Sequence, residues 1–362
     1  MRKIAFLLPD FAGGGAERLS LTLAHEFAAA GHGAEFVLMK AQGDLLKEAE
    51  QSFAVHDLDC SRTRQLPLPL SRYLRQHQPD AVIAAMWPST VIAPIAARIA
   101  GFRGKVLISE HATLSQQYAG SGLLHDVALR ASTFACYRLA AARVGVSQGV
   151  CADIAALSGM PLDRFVTIYN PIPAAVPPSP QAIAEADAIW GKGGSRILTV
   201  GSLKAQKNHH LLLRAFATLP RRDAKLMALG QGPEEASLRA LAAELGIAER
   251  VLFAGFHADP APFYATADLF VLSSDYEGFG NVIVEALSFG LPVVSTDCPA
   301  GPAEILENGR FGRLAPVGDA PALTRAMNDA LDAPVDRDAL IRRAADFAPE
   351  IAARQYLELL GL

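Results

Sequence analysis

Apolar residues along this chain fall in short unbroken blocks separated by longer stretches with helical spacing. The first set comprises Ile4–Leu8, Ala34–Met39, Ala54–Asp57, Ala81–Ala85, Val106–Ser109, Arg143–Val146 and Val166–Ile168. A second set follows at Arg196–Val200, Lys225–Leu229, Val251–Ala254, Leu269–Leu272 and Pro292–Ser295. Blocks without alternation predict parallel strands covered on both faces by the helices between them. The two sets are parted by 171–180, where Pro171, Pro173, Pro177, Pro178 and Pro180 prevent a continuous helix or central strand. The pattern therefore predicts an α/β protein of two doubly wound domains, residues 1–172 and 173–349. The most apolar window, 81–102, is interrupted by Pro88, Pro94 and Arg98. It reads as a strand, a turn and a helix, and no membrane span is expected. Met1-Arg2-Lys3 leads directly into a strand, so no signal peptide is expected either.

Length and composition agree with that division. A chain of 362 residues, 51% hydrophobic and 19% charged, can bury two cores of ordinary size. The net charge of −4 argues against a nucleic-acid binder. Residues 1–170 carry 16 Lys and Arg against 14 Asp and Glu, a net of +2, which leaves −6 for the remainder. Arg62, Arg64, Arg72 and Arg75 are bunched among Leu66, Leu68, Leu70, Tyr73 and Leu74. Such a segment either lies on an anionic lipid surface or is an ordinary helix with a solvated face. The four cysteines are scattered, which suits reduced thiols in the cytoplasm.

The densest candidate chemistry is Tyr276-Glu277-Gly278-Phe279-Gly280-Asn281, which opens an apolar helix carrying Glu285. Asn281 is the expected N-cap. Gly278 and Gly280 let backbone amides approach an anionic ligand. A carboxylate among Val282, Ile283, Val284, Ala286 and Leu287 is costly unless it bonds something specific, either ligand hydroxyls or a lysine.

This E-x7-E arrangement, continued by Gly290-Leu291-Pro292-Val293, resembles the signature of the retaining glycosyltransferases of family GT4. Gly13-Gly14-Gly15-Ala16-Glu17-Arg18, Ile168-Tyr169-Asn170-Pro171, the segment from Gly201 to Asn208, and Gly301-Pro302-Ala303-Glu304 resemble, in order, further segments of that family. The last is typical of its bacterial surface-glycan branch. The resemblance implies a GT-B architecture, two facing Rossmann-like domains with a cleft between them, and a C-terminal helix (350–362) returning to the first domain. It implies transfer of a hexose or N-acetylhexosamine from a nucleotide diphosphate sugar, UDP favoured, to a lipid-linked or glycan acceptor. A GT-B epimerase and an inactive membrane-associated scaffold are the alternatives.

Carried over residue by residue, the resemblance assigns Lys207 to the diphosphate, Glu277 to the donor sugar and Glu285 to the ribose. His111, at a strand end, is placed near the transferred sugar or the diphosphate. Gly14, Gly15, Ser202, Phe256, Gly278, Phe279, Gly280 and Asn281 complete the expected donor site. Ser202 stands where the family usually has arginine, so Lys207 must supply most of the positive charge, with Lys204 as a possible compensating cation. Front-face transfer, in which the leaving phosphate takes the acceptor proton, requires no metal or other cofactor. Asp57-Leu58-Asp59 spells a D-x-D triplet, read as coincidence. Arg62, Arg64, Arg72 and Arg75 form the expected membrane or acceptor surface, and a peripheral place on the inner face of the cytoplasmic membrane follows from it.

Overall fold

The apolar blocks become two parallel sheets in the computed structural model, which describes residues 1–362 except Gly13. Contacts divide the chain into two units, Met1–Pro171 with Ala348–Leu362, and Ile172–Phe347. In the first, β1 (Lys3–Leu8), β2 (Gly33–Leu38), β3 (Ala54–Asp57), β4 (Ala81–Ala85), β5 (Lys105–Glu110), β6 (Ala142–Gly145) and β7 (Val166–Thr167) line up as β3-β2-β1-β4-β5-β6-β7. Alternate residues point to opposite faces, and both faces are dry. Ala5, Leu7, Val82, Ala84 and Ile108 enter one core with the helices Pro67–His77 and Ser89–Ala100. Ile4, Phe6, Leu8, Ile83 and Leu107 enter the other. There Ala352, Ala353, Tyr356 and Leu360 of the helix Pro349–Leu360 join them, so this last helix is part of the first unit's core.

In the second unit, β8 (Arg196–Val200), β9 (Lys225–Leu229), β10 (Val251–Gly255), β11 (Leu269–Leu272), β12 (Val293–Thr296) and β13 (Arg313–Ala315) adopt the order β10-β9-β8-β11-β12-β13. The three-residue β13 has no apolar block to announce it and pairs with β12 at the sheet edge. The proline-rich stretch ends in a helix, Pro180–Trp190, whose indole N–H donates to Thr266 Oγ1 at 3.1 Å. In each sheet the order reverses once, between β1 and β4 and between β8 and β11. Loops leaving the carboxyl ends of those strands splay apart and leave a crevice for a ligand.

Two sequence expectations bear on the packing seen here. Leu66, Leu70, Tyr73 and Leu74, the apolar partners of the arginine segment, are buried in the first unit's core. Arg62, Arg64, Arg72 and Arg75 are exposed, with Leu68 the sole exposed leucine among them. The arginines thus face solvent, while the apolar side chains of the segment other than Leu68 face the core. Second, the helix after Gly280 begins at Asn281 itself, and Gly280 (φ 102°, ψ 53°) holds the preceding position. A side chain is strained at that φ, which is why glycine and not asparagine ends the loop.

Candidate active site

The loops after β8 and β11, at the second sheet's switch point, carry the residues singled out by the sequence. Lys207 does not begin a helix as expected. It ends a short 3₁₀ turn, Ala205–Lys207, and the helix His209–Ala217 starts after Asn208, whose side chain accepts from Leu211 N at 3.1 Å. The turn is tied to the β11 loop by several bonds, among them Asp275 N donating to Gln206 O at 2.9 Å. Gln206 Nε2 donates to Tyr276 O at 2.9 Å, Asn208 Nδ2 to Asp275 Oδ1 at 2.7 Å, and Ser273 Oγ to Lys207 O at 2.8 Å. Lys207 is thereby held in place, and its Nζ meets Glu277 Oε1 at 2.6 Å.

Both charges are largely shielded, the lysine side chain 16% exposed and the glutamate 8%. Ser274 Oγ donates to the same Glu277 oxygen at 2.6 Å. A pair this sheltered is sensitive to loss of either member, because the survivor stays buried. The lysine stem passes over Gly201, where a Cβ would lie 3.5 Å from Lys207 Cε at a φ of 150°. Behind it, a Cβ on Gly230 would overlap the carbonyl of Gly201. Glycines thus floor the space beneath the ammonium because backbone packs directly on backbone.

Glu285 lies one turn into its helix. Tyr264 Oη donates to its Oε2 at 2.8 Å, and the tyrosine ring stacks on Phe289 with centroids 5.7 Å apart. Burial, then the carboxylate beside it, raises the Tyr264 pKa well above the usual phenol value, so the hydroxyl stays a donor. Ser274 and Tyr264 went unnoticed in the sequence. Neither has a spacing signal, and only the fold brings them to the two glutamates.

Phe279 is buried edge-on against Phe347, centroids 5.4 Å apart, so its ring anchors the loop. Gly301 packs so closely on Phe279 that a Cβ would overlap its carbonyl. Phe256 is exposed just past β10, and Ser202 is exposed beside Gly201.

The first unit holds the other expected residues. Gly13 lies outside the described residues. Gly14 precedes the helix Gly15–Ala29, and a Cβ on it would overlap the carboxylate of Glu17. Glu17 is buried, and its carboxylate folds back onto its own backbone N–H at the helix start. Burial raises its pKa despite that bond. An internal carboxylate therefore takes the position that the positive end of a helix offers to anions.

His111 follows β5, with Nε2 3.2 Å from Ser109 Oγ and a buried Nδ1 that has no partner among the described residues. Burial lowers its pKa to about 4, so the ring is neutral near pH 7. Beside it Glu110 is fully buried. It accepts from Thr90 Oγ1 at 2.5 Å, from Trp87 N at 3.2 Å and from the Tyr137 hydroxyl. Burial raises its pKa to about 7 against these bonds.

The D-x-D triplet is local. Asp57 Oδ1 accepts from Asp59 N at 2.8 Å and so closes its own turn. Among the described residues one group has the composition of a metal site, Glu35, His56 and His77, whose ligand atoms lie within 4.8 Å of one another. The Lys3 ammonium already sits 2.7 Å from Glu35 Oε2, and the Tyr73 hydroxyl bonds Oε1. A cation there would face a fixed positive charge.

Comparison with known proteins gives the same picture over nearly the whole chain. The family model "Glycosyltransferase Family 4" matches residues 13–176, and "Glycosyl transferases group 1" matches residues 183–347. The lipopolysaccharide core biosynthesis glycosyltransferase LpsE of Rhizobium meliloti is 36% identical over 46% of this chain and 49% of its own. A Campylobacter jejuni N-acetylgalactosaminyltransferase named for a diphospho-undecaprenol acceptor is 38% identical over 38% of this chain and 37% of its own. The matched stretches thus span about half or less of those relatives. Among solved structures, Anabaena HepE in complex with UDP-glucose superposes with a TM-score of 0.84 at 25% identity, with all of both chains covered.

Proposed function

From the premise that this chain belongs to the family-4 glycosyltransferases and has their GT-B fold, we propose that it transfers a hexose or N-acetylhexosamine, with retention, from a UDP-sugar to a lipid-linked or glycan acceptor of surface-polysaccharide assembly. The observation that carries this reading is the sheltered Lys207–Glu277 pair above Gly201, at the switch point of the second sheet. Lys207 Nζ has three donors, and one bond to Glu277 leaves two for a diphosphate. Glu277, anchored by Ser274, offers acceptors to sugar hydroxyls, and Glu285, fixed by Tyr264, does so for a ribose. The exposure of Phe256 just past β10 supports a role for it in covering the base.

In this reading catalysis is charge stabilisation and positioning. As the sugar–diphosphate bond lengthens, negative charge gathers on the leaving phosphate and the Lys207 ammonium attracts it more strongly than in the ground state. Neutral His111 presents its unpartnered Nδ1 to a sugar hydroxyl or a phosphate oxygen. No candidate nucleophile stands out, and the departing phosphate takes the acceptor proton.

The names of the relatives support a surface-glycan setting, and the UDP-glucose complex of HepE supports a UDP donor. Incubation with a panel of nucleotide sugars and no acceptor is the direct test. Slow release of free sugar and UDP from one UDP-sugar is the expected outcome. Conversion of the panel to epimers, or turnover of none, would overturn the reading.

A further inference from the structure

The helix Leu123–Cys136 in the first unit is apolar on the wrong side for a globular protein. Only Leu129, Thr133 and Cys136 are buried. Leu123 and Leu124 are 78% and 88% exposed, Val127 53% and Phe134 56%. Ala128, Ala131 and Ala135 are exposed between them, so a continuous apolar stripe runs the length of the outer face. Leu139 and Leu162 extend it beyond the helix. Single exposed leucines need no explanation, but a contiguous stripe marks a surface that meets something.

The charges around the stripe are mostly positive. The Arg138 guanidinium lies 3.9 Å over the Phe134 ring and bonds Ser158 O and Gly159 O. Arg143 is held below its usual pKa by burial and then by Arg164 and Arg138, so three guanidinium groups are gathered at this end. Arg130 is paired with Asp126 at 3.1 Å. Asp126 and Asp163 are the acidic residues of the stretch 123–164 other than Asp153, whose carboxylate accepts from Ser115 N. Three exposed arginines, Arg130, Arg138 and Arg164, thus stand against two exposed carboxylates, while Arg143 is buried beneath them on the Tyr137 and Ala140 carbonyls. At the helix start, Trp87 and His125 have ring centroids 5.4 Å apart, and the indole N–H donates to Ser132 Oγ at 3.2 Å.

We propose that this helix docks the enzyme on an anionic bilayer, its leucines and Phe134 entering the headgroup boundary while Arg138 and Arg164 meet lipid phosphates. The exposed apolar side chains follow one another along a single helix face, which suits a fluid lipid surface. Cationic stems beside an apolar stripe are the make-up of interfacial helices. The proposal deepens the lipid-linked arm of the proposed function and rests on it for its purpose, not for its observations. It also moves the membrane surface from the Arg62–Arg75 segment, where the apolar side chains are buried.

Flotation of the full chain with phosphatidylglycerol-containing vesicles, at low and high salt, tests it without donor or acceptor. Wild type should float, less at high salt. A Leu123→Ser/Leu124→Ser/Val127→Ser variant should lose about tenfold or more in partitioning, while its melting temperature and its slow hydrolysis of donor stay unchanged. An Arg62→Ser/Arg64→Ser/Arg72→Ser/Arg75→Ser variant should float like wild type. Equal flotation of wild type and the leucine variant would overturn the proposal. So would a vesicle-free dimer that the leucine substitutions dissolve, because the stripe would then be covered by a second copy.

Discussion

Lys207 and Glu277 are 70 residues apart in sequence and meet at 2.6 Å with little solvent between them. Lys207→Ala removes the ammonium that faces Glu277 Oε1, so activity should fall at least ~10²-fold by analogy with lost transition-state donors. Stability should also fall, by roughly 1–3 kcal/mol, as expected for an uncompensated buried acceptor. Glu277→Ala should do the same. The double variant should be scarcely worse than either single, since the two act as a unit. Steady-state rates and urea melts of the three variants check this, and additive losses would show the pair to be functionally separate. Glu110 gives a pH effect whose sign is fixed. Its folded-state pKa of about 7 lies above the ordinary 4.5, so the folded protein binds the extra proton between those values. This group's contribution is complete below pH 4.5 and is lost as pH rises to about 7, by roughly 3 kcal/mol. Glu110→Gln, which stays neutral, should flatten that part of the stability profile relative to wild type in denaturant melts at pH 5 and 8.

At the scale of elements, glycines and caps join the buried Phe279 ring in clamping the loops that carry the site. Gly301 (φ 94°) lies on the Phe279 carbonyl and fixes the loop from Glu277 to Gly280 against the helix Pro302–Ile305. Gly301→Ala adds a methyl where backbone already stands, and should cost about 2 kcal/mol or more while displacing Glu277. Donor KM should rise in step with the fall in melting temperature. Asn208→Ala should be milder, about 1 kcal/mol for a lost cap, but it also frees the Asp275 tie. Its effect on turnover should therefore exceed that of a cap far from the site, such as Asp336→Ala at the helix Arg337–Ala345. Similar turnover in both cap variants would mean that the turn holds Lys207 without Asn208.

For the whole molecule, a metal-free mechanism predicts that excess EDTA leaves turnover unchanged and that Asp59→Asn is neutral. The Asp57–Asp59 turn is closed by its own backbone bond, and the proposed mechanism assigns the charge a metal would bring to Lys207. Loss of activity on chelation, restored by manganese or magnesium, would overturn this. Saturating UDP should raise the unfolding free energy by about 2.7 kcal/mol at a hundredfold excess over Kd, and GDP at the same concentration should raise it less. Equal shifts in a thermal melt would withdraw the UDP preference.

Strand positions and the α/β class were legible in the chain because a strand covered on both faces must be apolar throughout, and that constraint is local. The glycines were legible for a similar reason, since a turn that needs positive φ or backbone contact tolerates little else. Edge strand β13 was not, because three residues carry no periodicity. Partners of the glutamates were not legible either. Tyr264 reaches Glu285 from 21 residues away and Lys207 reaches Glu277 from 70, distances that only the strand order closes. The membrane surface shows the limit most plainly. Arg62–Arg75 and Leu123–Cys136 both mix arginine with leucine, and sequence alone drew attention to the more basic one. Packing separates them, by turning Leu66, Leu70 and Leu74 of the first into the core and Leu123 and Leu124 of the second toward solvent, and the proposed docking face follows that difference.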